Sequence, residues 1–304
     1  MSLTSVHALS APTPVALIIY NRPELTTQVV DALLLCPPPS LFLIADGPNN
    51  ASPEDHAKCQ AARNAVLNAP WPKGTQIHTL LADTNLGCRE RVSSGISWVF
   101  ENVEEAIILE DDIIPSPAFF PFCSTLLDHY RDDQRVGGVT GYSIYSPGQS
   151  LPESYYFSHY CLIWGWATWR RVWQLYDPDP ANWWPQARER RLLNSIFSQD
   201  HKVNHWSNTF DLLEKGKIDT WDFQFQAALW LNNKLFIHPR SGMTRNIGFG
   251  DDATHTKSKD HPFAKPALLD VSLPLTHPHS VAHNQSIEQW HDEKESPLAP
   301  KSQT

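Results

Sequence analysis

The stretch AIILEDD at residues 106–112 places four apolar residues directly before three carboxylates. A short run that is apolar at every position is typical of a strand buried on both faces of a parallel sheet. Three further strands are predicted before it, at Val15–Tyr20, Leu41–Ala45 and Gln76–Leu81, with helical patterns between them. Strands and helices that alternate in this way predict an α/β protein with an open, mostly parallel sheet flanked by helices.

Polar side chains follow each predicted strand. Ligands of open α/β sheets bind outside the carboxyl ends of the strands, so these residues are the first candidates for a site. In strand order they are Asn21-Arg22, Asp46-Gly47, Asp83-Thr84-Asn85 and Glu110-Asp111-Asp112. The sequence therefore predicts an acidic and polar site at one edge of the sheet.

The three carboxylates at 110–112 need compensation, because neighbouring carboxylates removed from water repel one another. Oxygen ligands of this kind suit Mg²⁺ or Mn²⁺, usually shared with phosphate oxygens. A solvated turn ahead of a helix near Pro117 is the alternative, because acidic clusters are common without a metal. The fully apolar strand before the triplet favours the metal site.

The composition argues against several classes of protein. The 304 residues include 24 basic and 33 acidic side chains, a net charge of −9, and no basic block that would bind nucleic acid. The apolar runs are far shorter than the roughly 18 residues of a membrane span, and residues 1–14 lack a secretory-signal pattern. Five cysteines without a CxxC pair indicate reduced thiols. We expect a cytoplasmic protein without a transmembrane segment, either free or peripherally associated with the inner face of the membrane.

The sequence AIILEDDIIPSPAFFPF at 106–122 resembles the metal-binding acidic motif of GT-A-fold glycosyltransferases. It looks most like the version in N-acetylglucosaminyltransferase I-like enzymes and bacterial family 2-like transferases. VALIIYNRPE at 15–24 and IADGP at 44–48 are similar to the first two nucleotide-binding strands of that fold. The resemblance covers residues 14–145 well and residues 160–257 less completely.

This resemblance implies one GT-A, Rossmann-like catalytic domain at 14–258. Its nucleotide-sugar-binding half would be 14–145, and 146–258 would form an acceptor-binding half, an extension on the acceptor side. Residues 1–13 are predicted to be an N-terminal tail. Residues 259–304, which are rich in Pro, His and Ser, are predicted to be a C-terminal tail.

The resemblance also implies roles for the acidic residues at the sheet edge. Asp112 would bind a Mn²⁺ or Mg²⁺ ion that bridges the diphosphate of a nucleoside-diphosphate-sugar donor. Glu110 and Asp111 would contact the donor sugar, the ribose or metal-bound water, and Asp46 would contact the nucleobase.

Two arginines, Arg22 and Arg89, are candidates for the diphosphate, because guanidinium groups match phosphate oxygens. A surface ion pair is an equally good interpretation of Arg89. There is no GxGxxG loop and no Walker A run, so metal and arginine would have to neutralise the phosphates. The Gly-bearing segment 246–255 resembles the loop that closes many GT-A sites, which implies His255 as a further metal ligand; an ordinary histidine is the alternative.

A reaction that inverts the anomeric centre needs a base for the acceptor hydroxyl. Thr220-Trp221-Asp222 is predicted to open a helix to Leu231, with Thr220 as N-cap. The helix dipole favours a carboxylate at Asp222, and this effect alone would explain the residue structurally. The resembling enzymes carry their base on an acidic residue after a Trp in the corresponding place. They imply Asp222 as the base, with Asp219 as the second candidate.

Twelve tryptophans are an excess for a chain of this length. Trp166, Trp169 and Trp173 recur at i, i+3 and i+7, which predicts one helical face packed in the core. Three others, one before this pattern and two in a Pro-flanked loop, are predicted to stack on the sugars of a glycan or glycolipid acceptor: Trp164, Trp183 and Trp184.

The sequence thus predicts a metal-dependent, inverting glycosyltransferase that moves a sugar from a nucleoside-diphosphate-sugar to a hydroxyl of a glycan or glycolipid. Two alternatives stay open. A nucleotidyltransferase that makes a nucleotide-sugar needs a Gly-rich basic loop after the first strand, which residues 21–24 match poorly. A non-catalytic nucleotide-sugar- or glycan-binding module would share the fold, but the intact acidic triplet and Asp222 argue against it.

Overall fold

A computed structural model of the chain describes residues 13–49, 52–144, 151–248 and 274–289. The strands are β1 (Val15–Ile19), β2 (Ser40–Ala45), β3 (Gln76–Leu81), β4 (Glu105–Glu110), β5 (Ile113–Pro115), β6 (Val136–Thr140), β7 (Tyr155–Ser158), β8 (Trp166–Trp169), β9 (Leu235–Pro239) and β10 (Thr244–Asn246). The helices are α1 (Pro23–Leu35), α2 (Pro53–Leu67), α3 (Cys88–Asn102), α4 (Phe119–His129), α5 (Arg170–Trp173), α6 (Pro180–Glu189), α7 (Leu192–Ile196), α8 (Asp200–Glu214) and α9 (Asp222–Leu231).

Eight strands form one mixed sheet in the order β3-β2-β1-β4-β8-β6-β9-β7. Strands β1 to β4, β6 and β9 run in one direction, whereas β7 and β8 run in the other. A separate two-stranded sheet pairs β5 with β10. The protein is therefore α/β with a large, mostly parallel sheet flanked by helices, as predicted, and it is compatible with a Rossmann-like fold.

The first four strands confirm the strand predictions. β1, β2 and β4 are buried along almost their whole length, which explains their unbroken apolar sequences. The edge strand β3 exposes most of its side chains. In the parallel register Ile19 lies beside Ala45, and Ile18 lies beside Glu110. The residues that follow β1, β2 and β4 therefore meet at one edge of the sheet.

The interpretation of the Trp166, Trp169 and Trp173 spacing as one helical face is wrong. Trp166 and Trp169 lie in strand β8, and only Trp173 lies in a helix, the short α5. All three are buried, as the core interpretation required. The strand is favoured because β8 is inserted between β4 and β6 and completes the sheet. Because β8 is paired with strands on both sides and all four of its residues are buried, its sequence shows no alternation of apolar and polar residues that would indicate a strand.

Trp183 and Trp184 do not lie in a loop. They belong to α6, which begins after Asp179, whose side chain accepts a hydrogen bond from the Ala181 N–H. Both indoles are buried in a second apolar cluster with Phe210. With 9% and 1% of their surfaces exposed, they present no ring face on which an acceptor sugar could stack.

Part of the range predicted as a C-terminal tail packs against the sheet. The segment 274–289, called here the C-terminal segment, buries Leu275 and Ile287. The Ser154 N–H donates to the Thr276 carbonyl at 2.9 Å, and the Asn284 N–H donates to the Phe157 carbonyl at 2.8 Å. Over these residues the prediction of a tail is corrected, since two buried apolar side chains outweigh the polar composition around them.

The five cysteines are all free thiols. Within the four described ranges, no helix combines the length and the apolar character needed to cross a membrane.

Candidate functional site

A cavity of about 680 Å³ opens at the carboxyl edge of the sheet. Residues that follow β1, β2 and β4 line it, together with residues before β8 and at the start of α9. Because β8 is antiparallel, its amino end lies at the same edge as the carboxyl ends of its neighbours. The cavity brings together seven of the predicted site residues: Arg22, Asp46, Glu110, Asp111, Asp112, Trp164 and Asp222.

The acidic triplet lies at the floor of this cavity, at the end of β4. Asp111 and Asp112 are buried, with 2% and 9% of their surfaces exposed. Removal from water, together with repulsion from the carboxylates of Asp112 and Asp111, raises the pKa of Glu110 to about 8. Burial likewise raises the pKa of Asp111 to about 6, although Arg22 partly offsets this effect. Burial and the repulsion between neighbouring carboxylates therefore both disfavour full ionisation of the triplet.

Arg22 is the cation nearest to the triplet. Its guanidinium forms an ion pair with Asp111 and a second one with Asp112, the latter at 2.9 Å between Nη1 and Oδ2. The Tyr20 N–H also donates to Asp111 Oδ2 at 3.3 Å. Arg22 lies three residues after the end of β1 and directly before Pro23, the first residue of α1, so strand and helix both hold it in place. Because its guanidinium is already paired with two carboxylates, Arg22 has few hydrogen-bond donors left for a phosphate.

Asp46 links the loop after β2 to the loop after β3 through hydrogen bonds. Its carboxylate accepts hydrogen bonds from the backbone N–H groups of Gly47, Leu86 and Gly87 at 2.8, 2.9 and 3.2 Å, and from the Asn85 side chain at 3.0 Å. Gly87 has a φ of +82°, which glycine adopts without strain. Asp46 thus shapes the cavity wall, and its hydrogen-bonding capacity is largely used before any ligand binds.

The loop after β10 approaches the triplet from the other side. The Ile247 N–H donates to the Asp112 carbonyl at 2.8 Å. A Cβ on Gly248 would lie only 2.1 Å from Asp112 Oδ2, so this contact requires glycine. These residues are the described beginning of the segment predicted to close the site. The predicted metal ligand His255 lies outside the described residues.

Asp222 begins α9, one residue later than the predicted start of that helix. Trp221 occupies the N-cap position, and the Thr220 hydroxyl donates to the Asp222 carboxylate instead of capping a backbone N–H. Asp222 contributes to the raised pKa of Glu110, so the two carboxylates are close enough to interact through the cavity. The helix dipole stabilises the ionised form of Asp222.

Trp164 lines the cavity and is half-buried. Its indole packs edge-on against Tyr142, with ring centroids 4.9 Å apart, and its carbonyl accepts a hydrogen bond from Thr244. A ring held in this way is a rigid apolar wall for a ligand.

Four of the predicted residues within the described ranges lie outside this cavity: Arg89, Asp219, Trp183 and Trp184. Arg89 pairs with Asp219 at 3.3 Å on the surface, with 43% and 66% of the two side chains exposed. Arg89 therefore forms a surface ion pair, which was one of its two predicted interpretations. Neither residue lines the cavity.

Arg91, which is not among the predicted site residues, lines the cavity and is 5% exposed. Its Nε is buried without a hydrogen-bond partner, and Arg91 makes no salt bridge to any described residue. Its Nη2 donates to Ser94 Oγ at a long 3.4 Å. Burial lowers the pKa of Arg91, although Asp46 and Glu90 act in the opposite direction. A buried guanidinium with spare donors is suited to an anionic ligand.

A hydrogen-bond network under the cavity supports its β1 side. The Asp55 carboxylate accepts from the Tyr20 hydroxyl and the Asn49 N–H, both at 2.6 Å, and from the Asn21 side chain. Burial by itself would raise the pKa of Asp55, but these hydrogen bonds outweigh it and hold the pKa below its usual value. Tyr20 and Asn21 both line the cavity.

We expect Asp55→Asn to lower the free energy of unfolding by about 1.5–3 kcal/mol, because the new amide cannot accept from all three donors. The ionised carboxylate stabilises the fold above its unfolded-state pKa of about 3.9, and this contribution is lost as the pH falls through the lower folded-state value. Urea unfolding should therefore show the difference in full at about pH 7 and a shrinking difference below about pH 4. The exposed Asp31→Asn is the control. An unchanged difference at low pH would contradict this account.

Neither protein-family models nor curated proteins match this chain.

Proposed function

We propose that this protein is a metal-dependent glycosyltransferase of GT-A type, which uses a nucleoside-diphosphate-sugar as donor. The observation that carries the proposal is the charge balance of one cavity. Among the residues that the structure describes, five carboxylates line it, but only two basic side chains do, Arg22 and Arg91. An anionic donor can enter such a cavity only if a cation accompanies it.

A divalent ion fits the residues at the end of β4. Their ligands are carboxylate oxygens, which suit Mg²⁺ and Mn²⁺. Burial is the main cause of the raised pKa values of Glu110 and Asp111, and neighbouring carboxylates add to it, so a cation bound beside them would favour their ionised forms. Asp112 is the proposed ligand of the ion, with Glu110 and Asp111 toward the donor sugar or ribose. When bound, Mn²⁺ or Mg²⁺ would supply charge stabilisation for the leaving diphosphate.

The protein's own residues would do the remaining work. Arg91 would bind a phosphate, and Asp46 would hold the loop that borders the nucleotide. Asp222 would take the proton of the acceptor hydroxyl, in a single displacement that inverts the anomeric carbon. Trp164 would pack against the sugar of a glycan or glycolipid acceptor. Five free cysteines suit the reducing conditions of the cytoplasm, where we propose that the protein acts.

The test is the Mn²⁺-dependent hydrolysis of a panel of nucleotide-sugars by the wild-type chain and by Asp112→Ala. We expect slow release of nucleoside diphosphate from at least one donor, only with Mn²⁺ and only in the wild type. Equal turnover by both proteins would overturn the metal assignment. Release of pyrophosphate from a nucleoside triphosphate plus a sugar phosphate would indicate a nucleotidyltransferase instead. Donor binding without any turnover or transfer would indicate a binding module.

Arg91→Met should weaken nucleotide binding by about ten- to a hundredfold, since one charge-assisted contact is lost from a buried place. Isothermal titration of the nucleoside diphosphate released in that test, with Mn²⁺ present, measures the effect. Methionine fills much of the same volume, which limits disturbance of the core.

Arg89→Met is the matched control, two residues away on the same helix. Because Arg89 is exposed and already paired with Asp219, its loss should change the affinity less than about threefold. Equal losses for both variants would contradict a specific role for Arg91.

A further inference from the structure

Three possible metal ligands meet where the C-terminal segment packs on the end of β7. His159, His283 and Glu288 each offer one ligand atom, and these atoms lie within 4.8 Å of one another. His159 directly follows β7, whereas His283 and Glu288 belong to the C-terminal segment. None of the three lines the cavity at the sheet edge.

We propose that His159, His283 and Glu288 form a binding site for a divalent transition-metal ion of the zinc type. Two imidazoles and one carboxylate are a ligand set that suits Zn²⁺ and is unlike the all-oxygen set proposed at Asp112. Ligand atoms on a tetrahedral Zn²⁺ lie about 3.4 Å apart, given bonds of about 2.1 Å. His159 Nδ1 and Glu288 Oε2 are already 3.1 Å apart. The imidazole of His283 lies 4.3 Å from that of His159, centroid to centroid, and is exposed, so it can rotate into place.

The carboxylate of Glu288 is held in position by its neighbours. Its Oε1 accepts hydrogen bonds from Ser158 Oγ at 2.8 Å and from the His159 N–H at 2.5 Å. The other oxygen, Oε2, is the one that faces the His159 imidazole. Fixed outer contacts of this kind orient a ligand and strengthen metal binding.

The backbone that carries the ligands is also well supported. The His159 carbonyl accepts hydrogen bonds from Gln226 Nε2 and Trp230 Nε1 of α9, both at 2.8 Å. Phe157 pairs with His283 through a parallel bridge on the other side. A bound ion would therefore tie the C-terminal segment to β7, and through His159 to the helix that begins with Asp222.

The test is Zn²⁺ binding by the untagged full-length chain after treatment with a chelator. Isothermal titration compares the wild type with His283→Gln, which removes one ligand from an exposed position and so leaves folding intact. His279→Gln is the matched control, since His279 is an exposed residue of the same segment. We expect Zn²⁺ affinity at least about tenfold lower in His283→Gln and unchanged in His279→Gln.

Hydrogen exchange gives a second readout that locates the ion. Zn²⁺ should slow amide exchange over 274–289 in the wild type and in His279→Gln, but not in His283→Gln. Equal Zn²⁺ binding by the wild type and His283→Gln would overturn the proposal, because the ion would then be bound elsewhere. No Zn²⁺ binding by the wild type would also overturn it and would leave the three residues as a hydrogen-bonded cluster. Neither outcome bears on the cavity at Asp112.

Discussion

Asp222→Asn is expected to lower the rate of sugar transfer by about a hundred- to ten-thousandfold, while donor affinity stays within about twofold. The amide keeps the size of the side chain and can still contact Thr220, but it cannot accept a proton from the acceptor hydroxyl. Transfer to an acceptor measures the first quantity, and isothermal titration of the donor with Mn²⁺ measures the second.

Asp219→Asn is the control for this prediction. Asp219 lies three residues earlier, is exposed and pairs with Arg89 outside the cavity. The Asp219→Asn protein should therefore transfer sugar at nearly the wild-type rate. If Asp222→Asn lost donor binding together with transfer, Asp222 would hold the structure of the site instead of acting as its base. If Asp219→Asn lost transfer and Asp222→Asn did not, the two assignments would have to be exchanged.

Asp112→Asn is expected to weaken Mn²⁺ binding by about a hundredfold or more and to abolish metal-dependent turnover. The substitution removes the negative charge of the proposed ligand, and it leaves Arg22 with only Asp111 as an ion-pair partner at the triplet. Titration of Mn²⁺, followed by the paramagnetic resonance of the free ion, measures the affinity.

Asp83→Asn removes the same charge from an exposed position after β3 and should leave Mn²⁺ affinity unchanged. Circular dichroism of Asp112→Asn checks that the buried substitution leaves the fold intact. A folded Asp112→Asn protein with wild-type Mn²⁺ affinity would contradict the assignment of Asp112 as the metal ligand.

The parallel half of the sheet and its acidic edge could be predicted because both depend on local sequence. Strands buried on both faces require unbroken apolar runs, as in β1, β2 and β4. Parallel pairing then brings whatever follows these strands to one edge. Asp46 and the triplet at 110–112 needed no further information to be placed together.

The choice between Arg89 and Arg91 could not be made from residue type, since both arginines lie in the first turn of α3. Two residues on a helix differ by about 200° in direction, so only one can face the sheet. Arg91 lies one turn before Gly95, where a Cβ would collide with Ile44 of β2. That small residue on the buried face was the signal that could have identified Arg91.

Contacts between distant segments account for two further errors. Strand β8 pairs with β4, about sixty residues earlier, and its tryptophans happen to recur at helical spacing. The C-terminal segment packs on β7 through a few buried apolar side chains within a polar stretch. Helix and strand propensities and local composition do not indicate which distant segments will pair.

The central claim is that a divalent ion allows this acidic cavity to bind a nucleoside-diphosphate-sugar. The most direct measurement is isothermal titration of a panel of these donors into the wild-type chain, with Mn²⁺ and then with excess chelator. We predict that at least one donor binds with micromolar affinity in Mn²⁺ and at least about tenfold more weakly without it. Binding of none of the donors in Mn²⁺, or equal binding in chelator, would contradict the account.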